Sequence, residues 1–292
     1  MTDALRKLVE AELGQPVDPR VAVMAEAIAA KHGAASRAVL FYGSCLRQEQ
    51  LDDAAGGGMM LDFYLIVSDY RSAYDARWLA KANAWIPPNV FPFQHGGLAA
   101  KYAVLSEDDF HRLNGPETRN VSVWARFAQP SRLVWAKDSA ARGKAVSAVA
   151  RAAPTLLAAA QAHPHGDELE AWRRAFALTY SAELRAERKG RSGSIVDTDP
   201  DRYRRFTAPA LAAIEPGAVR ATWPRRRIEG KLLSVARLAK ASLTYAGGAE
   251  YIAWKINRHA GTEIQLKPWQ KRHPLLAAIS LLPRLLRSGA IR

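Results

Sequence analysis

Apolar positions recur at helical spacing over residues 20–31, an alanine-rich stretch closed by Gly33, and this predicts a helix with a glycine cap. The pattern then changes. Residues 38–42, Ala-Val-Leu-Phe-Tyr, form a short unbroken apolar run that reads as a buried strand ended by Gly43-Ser44. A polar loop containing Gly56-Gly57-Gly58 follows, and a second strand is predicted over 60–67, Met-Leu-Asp-Phe-Tyr-Leu-Ile-Val. Residues 70–84 read as a helix, and Pro87, Pro88 and Pro92 as breaks in the chain. A third strand is expected over 99–105. Ser106, three residues before Asp109, then has the spacing of a capping box. Residues 131–135 offer a further strand. Beyond Asp138 alanine dominates, and helices are expected over 139–162, 167–187 and 229–245. The expected class is α+β: a mixed sheet with helices up to residue 136, then a mostly helical half. No internal repeat is visible.

Composition narrows the function classes. Of 292 residues 49% are hydrophobic, enough for a sizeable core, which excludes a disordered chain. The single Cys45 excludes a disulfide scaffold and a Cys-rich zinc site, and it fits a reducing compartment. Lys and Arg total 42 against 28 Asp and Glu, a formal charge of +14. That excess points to a polyanion: a nucleic acid, a nucleotide or an anionic membrane surface. A basic surface that serves only solubility explains it too. Residues 1–16 carry Asp3, Glu10 and Glu12 and no long apolar run, so they read as neither a signal nor a transit peptide. No run approaches the roughly 20 apolar residues of a membrane span. The longest, over 274–286, is interrupted by Pro283 and Arg284.

The chemistry concentrates in Gly43, Ser44 and Asp62. A carboxylate inside an apolar strand is costly unless something pairs with it. A divalent cation would offset that cost. A Gly-Ser turn lets backbone approach a phosphate closely and adds a hydroxyl. Each feature alone is more often structural, a plain turn or a solvated strand end. In order, 18 residues apart and each on an apolar strand, they point to phosphate chemistry with Mg²⁺ on Asp62 and phosphate oxygens.

Strand, Gly-Ser, loop and Asp-bearing strand together resemble the nucleotidyltransferase fold. Further stretches are similar to one family in it, the phosphatidate cytidylyltransferases of mitochondria and their bacterial relatives. They are Phe41-Tyr42-Gly43-Ser44, Met60-Leu61-Asp62-Phe63, residues 98–106 around Lys101, residues 124–130 (Trp-Ala-Arg-Phe-Ala-Gln-Pro), residues 178–185 (Leu-Thr-Tyr-Ser-Ala-Glu-Leu-Arg) and, more loosely, 227–231. No single stretch is specific; their order over roughly residues 38–245 carries the resemblance. It implies transfer of the cytidylyl group of CTP to phosphatidic acid with Mg²⁺, giving CDP-diacylglycerol and pyrophosphate. It further implies that Gly43 and Ser44 hold the nucleotide phosphates, that Asp62 ligates the metal, and that Lys101 faces the transferred or leaving phosphate. Tyr180, Ser181, Glu183, Arg185 and Lys231 would bind substrate. The implied domains are a nucleotidyltransferase-like domain over 1–136, a helical substrate domain over 137–246, and a membrane-associating segment over 247–292.

Two departures from the family stand out. Tyr64 occupies the position, two residues after Asp62, where a second carboxylate is usual. Asp69 is seven residues on, roughly 23 Å along a straight strand and facing the other way, so it fits the strand end better than the same metal. Residues 83–88, Asn-Ala-Trp-Ile-Pro-Pro, replace an Asn-x-x-His-Tyr-Ser stretch. His95 reads as an incidental loop histidine. Residues 247–292 combine Tyr251, Trp254 and Trp269 with many bases and a short apolar run, which suits an anionic bilayer interface and equally a helix packed on its own domain. The expected location is cytoplasmic, peripheral on the inner face of the cell membrane. No recognised RNA-binding motif appears, so nucleic acid falls behind. A nucleotidyltransferase with a non-lipid acceptor fits the same residues. So does a non-catalytic membrane- or nucleic-acid-binding module, which Tyr64 favours.

Overall fold

The computed structural model describes residues 2–47, 60–161, 167–183, 195–215, 217, 221–244 and 267–268. Helices α1 (Asp3–Leu13) and α2 (Pro19–His32) precede strand β1 (Ser36–Tyr42). Strand β2 (Met60–Val67) is followed by α3 (Tyr70–Ala73), α4 (Arg77–Trp85), β3 (Asn89–His95) and β4 (Leu98–Ser106). Then come α5 (Glu107–Asn114), α6 (Trp124–Phe127) and β5 (Ser131–Ala136). The remaining helices are α7 (Ser139–Val149), α8 (Ala152–Ala159), α9 (Glu168–Ala182), α10 (Pro200–Leu211) and α11 (Trp223–Thr244). The chain is α+β, with one five-stranded mixed sheet in the order β3-β4-β2-β1-β5. Only β2 and β4 are parallel.

Period-two alternation sends the two sheet faces into different cores. Val39, Phe41, Phe63, Leu65, Tyr102 and Val104 pack with α2. Leu40, Tyr42, Tyr64, Ile66, Ala103 and Leu105 pack with α1 and the later helices, around the buried Trp124 and Trp172. This second core draws on residues from both sides of position 136. Removing either tryptophan ring would cost about 3–5 kcal/mol.

Several elements differ from the expectations. The helix expected over 70–84 is two, because Tyr74 is extended between α3 and α4. The helix expected over 139–162 breaks at Ala150-Arg151 into α7 and α8. β3 was expected only as a proline-broken stretch. It is an edge strand of the sheet, where Pro92 can lack an N–H without breaking an inner ladder. α1 and α10 lie outside the expected elements; Asp199 and Pro200 start α10 with a cap and a favourable first-turn proline. Ser106 does cap α5, its Oγ accepting from the Asp109 amide at 3.2 Å. Among the described residues no helix is long and apolar enough to cross a membrane. The expected membrane segment, 247–292, lies outside the described residues except for 267–268.

Candidate functional site

Sheet register assembles the site. Because β1 and β2 are antiparallel, the end of one meets the start of the other, and Tyr42 pairs with Asp62. Because β2 and β4 are parallel, Asp62 pairs with Lys101. The three side chains therefore share one face at one end of the sheet. Gly43 follows Tyr42 with φ +97°, a conformation that favours glycine, and a Cβ there would stand 3.0 Å from Asp62 Oδ2. Ser44 is exposed and opens a short 3₁₀ turn, Ser44–Arg47. Glycine at 43 is thus favoured by the backbone, and a side chain there would press on the carboxylate beside it.

Lys101 Nζ lies 2.9 Å from Asp62 Oδ1. The contact is ionic without hydrogen-bond alignment, and Oδ1 is buried with no hydrogen bond. Both side chains keep some access to solvent, 24% for Lys101 and 19% for Asp62. A buried carboxylate oxygen left in this state is where a cation or donor from a substrate would gain most.

Further groups close the site from the helical side. Arg126, the one polar residue of the short α6, lies over the Tyr42 ring at 4.8 Å, and its Nε is buried without a partner. Burial works against its charge, but Tyr42, Tyr64, Glu183 and Asp62 outweigh this and hold the guanidinium firmly protonated. At neutral pH the two phenols are uncharged, so the countercharges are the two acids. Tyr64, where a second carboxylate was expected, is buried between Tyr42 (5.3 Å) and Phe127 (5.1 Å). Burial raises its phenol pKa against the opposing fields of Arg126 and Arg237. Arg237, on α11, donates to Pro87 O at 2.8 Å and Ser122 Oγ at 2.9 Å. Burial lowers its pKa; Tyr64 and Glu183 oppose that, and Arg126 adds to it. The charges that act on one another at this corner are thus three cations, Lys101, Arg126 and Arg237, and two acids, Asp62 and Glu183. That balance leaves the corner complementary to an anion.

The sequence-predicted residues divide cleanly. Gly43, Ser44, Asp62 and Lys101 come together at the sheet end. Glu183, the C-cap of α9, lies close enough for its charge to act on Arg126 and Arg237, so a second acid comes near this corner from another element rather than from position 64. Ser181 is exposed, its hydroxyl donating to Leu178 O at 2.7 Å and accepting from Arg227 Nε at 3.2 Å. Tyr180 is half-buried against the helical core. Lys231 is exposed on α11 and points roughly 120° around the helix from Arg237. Arg185 lies outside the described residues. Asp69 lies just past the end of β2, as its spacing implied, and there caps α3, accepting from the Arg71 and Ser72 amides at 2.9 Å each. Hydrogen bonds from Ser72 hold its carboxyl below the usual range. Burial, and then the Asp62 charge, raise the Cys45 thiol pKa, so it is a packing group.

Arg126 and Arg237 were missed as site residues. An arginine inside the apolar run Trp124–Phe127 was a usable signal. Arg237 carried none, since α11 has bases throughout.

The residues fit Mg²⁺ only as a shared ligand set. Among the described residues no group of three or more His, Cys, Asp and Glu could form a metal cage. The unbonded Oδ1 of Asp62 suits a Mg²⁺ that brings its own phosphate oxygens and waters.

No family model matches the chain, and no curated protein matches it. Among solved structures, a nucleotidyltransferase-like protein from Exiguobacterium sibiricum is similar at 11% identity and a TM-score of 0.28, over 92% of each chain.

Proposed function

We propose that this corner binds a nucleoside triphosphate and transfers its nucleotidyl group, and that the reaction is cytidylyl transfer from CTP to phosphatidic acid. The observation that carries the first part is the Asp62–Lys101 pair with its unbonded Oδ1, set against a Cβ-free turn at Gly43-Ser44. The acceptor is chosen on the ordered stretches that resemble the lipid cytidylyltransferases.

In this reading the Gly43-Ser44 turn receives the triphosphate, with the exposed Ser44 hydroxyl turning from the Cys45 thiol to a phosphate oxygen. A phosphate oxygen of phosphatidic acid forms a bond to the α-phosphorus of CTP. The bond from that phosphorus to the bridging oxygen breaks, and pyrophosphate leaves with the electron pair. Lys101 lies where negative charge grows on the leaving group and neutralises it. Arg126 and Arg237 hold the acceptor end of the anion. Mg²⁺, held by Asp62, would supply further charge neutralisation on the phosphates.

The test is pyrophosphate release by the full chain with CTP, Mg²⁺ and liposomes containing phosphatidic acid. Turnover is expected, and Asp62→Asn should lower it by roughly 100-fold or more. Turnover that ignores the liposomes would assign a non-lipid acceptor. Full activity in Asp62→Asn, or none in the wild type with any nucleotide, would overturn nucleotidyl transfer at this corner.

A further inference from the structure

Helix α11 is held to the protein differently from its neighbours. All eight residues of α8 are buried, and α9 buries Trp172, Ala175 and Phe176. Of the α11 residues whose side chains are described, only Arg226, Gly230 and Lys240 are buried, and none of these carries an apolar side chain. Together with Arg237 they fall within about 80° of one another around the helix. The face of α11 that meets the fold is therefore a stripe of bases bound to main-chain carbonyls.

The two halves of α11 are tied unequally. At its start, Trp223 packs on the helical core and donates from Nε1 to Ala159 O at 2.9 Å. Arg226 lies over the rings of Trp124 (5.8 Å) and Trp223 (5.9 Å) and donates to Arg119 O at 2.8 Å. Past Gly230, Leu233, Val235 and Leu238 are only half-buried. The ties there are polar. Lys240 Nζ donates to Pro88 O at 2.8 Å and to Ile86 O, and Arg237 to Pro87 O at 2.8 Å and Ser122 Oγ at 2.9 Å. Such bonds exchange for water at little net cost, unlike a buried ring. Between the halves, the Ser234 hydroxyl donates to Gly230 O at 2.8 Å, a back-bond that bends helices, and glycine is itself a weak helix former. Gly230 also rests on Ala182 O, at the end of α9, too closely for any Cβ, which gives the helix a fulcrum.

We propose that α11 hinges at Gly230 and that its second half is a strap, which swings Arg237 over the candidate site and closes on a bound phosphate. The closed form is the one described. In it the Arg237 guanidinium lies where Tyr64, Glu183 and Arg126 act on its charge. Nε and one terminal nitrogen are taken by Pro87 and Ser122, and the second terminal nitrogen makes no hydrogen bond among the described residues. A phosphate oxygen at the corner gains that donor only while the strap is down, so the ligand favours the closed form and the open form admits the ligand. Repulsion adds to this coupling. Arg126 disfavours the Arg237 charge, and Arg237 disfavours that of Lys240. An anion between Arg126 and Arg237 relieves the first of these. The coupling rests on the corner being a phosphate site; the hinge does not.

The experiment is amide hydrogen exchange on the full chain, read by mass spectrometry, without ligand and with inorganic pyrophosphate. Without ligand, residues 231–241 should exchange roughly 100-fold faster than α8. Lys240→Ala should speed them about tenfold further while α8 keeps its rate, which shows that the fold is intact. Pyrophosphate should slow 231–241 about tenfold in the wild type and leave them unchanged in Arg237→Met. Exchange of 231–241 as slow as that of α8 would overturn the hinge, as would an unchanged rate in Lys240→Ala. Equal slowing by pyrophosphate in Arg237→Met and wild type would overturn the coupling. So would protection of the peptide holding Gly43 and Ser44 without protection of 231–241. Protection of neither would sink the phosphate reading of the corner and the coupling with it, while fast exchange of 231–241 without ligand would still support the hinge.

Discussion

Two ion pairs in this molecule are built from the same chemistry to opposite ends. Glu12 and Arg202 join α1 to α10 in the interior. Arg202 donates to both Glu12 oxygens, donates again to Ala128 O at 3.0 Å, and lies over Phe206 at 4.4 Å. Its side chain is 3% exposed. Asp62 and Lys101, at the sheet end, meet in an off-axis contact at an Asp62 carboxylate oxygen that accepts no hydrogen bond. A closed network of hydrogen bonds holds helices together and leaves nothing to offer a ligand. A pair left half-satisfied near solvent gives up stability and keeps binding capacity, as an active site does. Satisfaction of the lone pairs, rather than the presence of a charge pair, separates the structural site from the candidate functional one.

The comparison can be broken most sharply at the interior pair. Glu12→Gln leaves the Arg202 charge buried and under-paired, and should destabilise the fold by about 3–5 kcal/mol in urea unfolding. The matching change, Asp62→Asn, should cost at most about 1 kcal/mol in the same assay, because Lys101 can turn to water. Its large effect should fall on turnover instead. If the two substitutions destabilise equally, the distinction fails.

A smaller effect is expected at Gly43. Gly43→Ala forces an L side chain into φ +97° against Asp62, so a loss of about 1–3 kcal/mol should accompany a fall in turnover of tenfold or more. Unfolding curves and pyrophosphate release on the same preparation would read both. Unchanged turnover would show that the carboxylate need not sit where it does.

The smallest effect is a pH dependence at Lys240. Burial, and then the Arg237 charge, bring its amine down to about 7. That lies below the ordinary value, so between about pH 7 and 10.5 the unfolded chain binds a proton that the folded chain lacks. Stability from this group therefore rises with pH through that window, by about 1 kcal/mol from pH 7 to 8. Below pH 7 the penalty for charging the buried amine is fully present. Lys240→Met should flatten the rise; the same slope in wild type and variant would exclude Lys240 as its source.

Much of the site was legible in the sequence for a local reason. Gly43, Ser44, Asp62 and Lys101 each interrupt or end an apolar strand, where a polar group or a glycine is conspicuous. Glu183 was legible only through resemblance, as one residue of a solvent-like run of charges. Tyr64 was misleading in the other direction: its lack of charge suggested a missing ligand, whereas it is a buried ring packed between Tyr42 and Phe127. Arg237 was illegible because one base among several on a helix is told apart only by which side faces the sheet. Contact with α9 sets that side: a Cβ on Gly230 would lie 2.2 Å from Ala182 O, so α11 can press against α9 only through this glycine.

The order of apolar and polar positions by itself determined the strands β1, β2 and β4, the glycine turn and the cost of a carboxylate at position 62. These depend on neighbours within a few residues, where spacing and solvation act directly. Only the tertiary structure decided that Asp62 meets Lys101, that the second acid arrives from the end of α9, and that arginines from α6 and α11 converge on Tyr42 and Tyr64. Those contacts depend on strand order and on the rotation of packed helices. Both are set by burial summed over the whole core, which no short stretch of chain encodes.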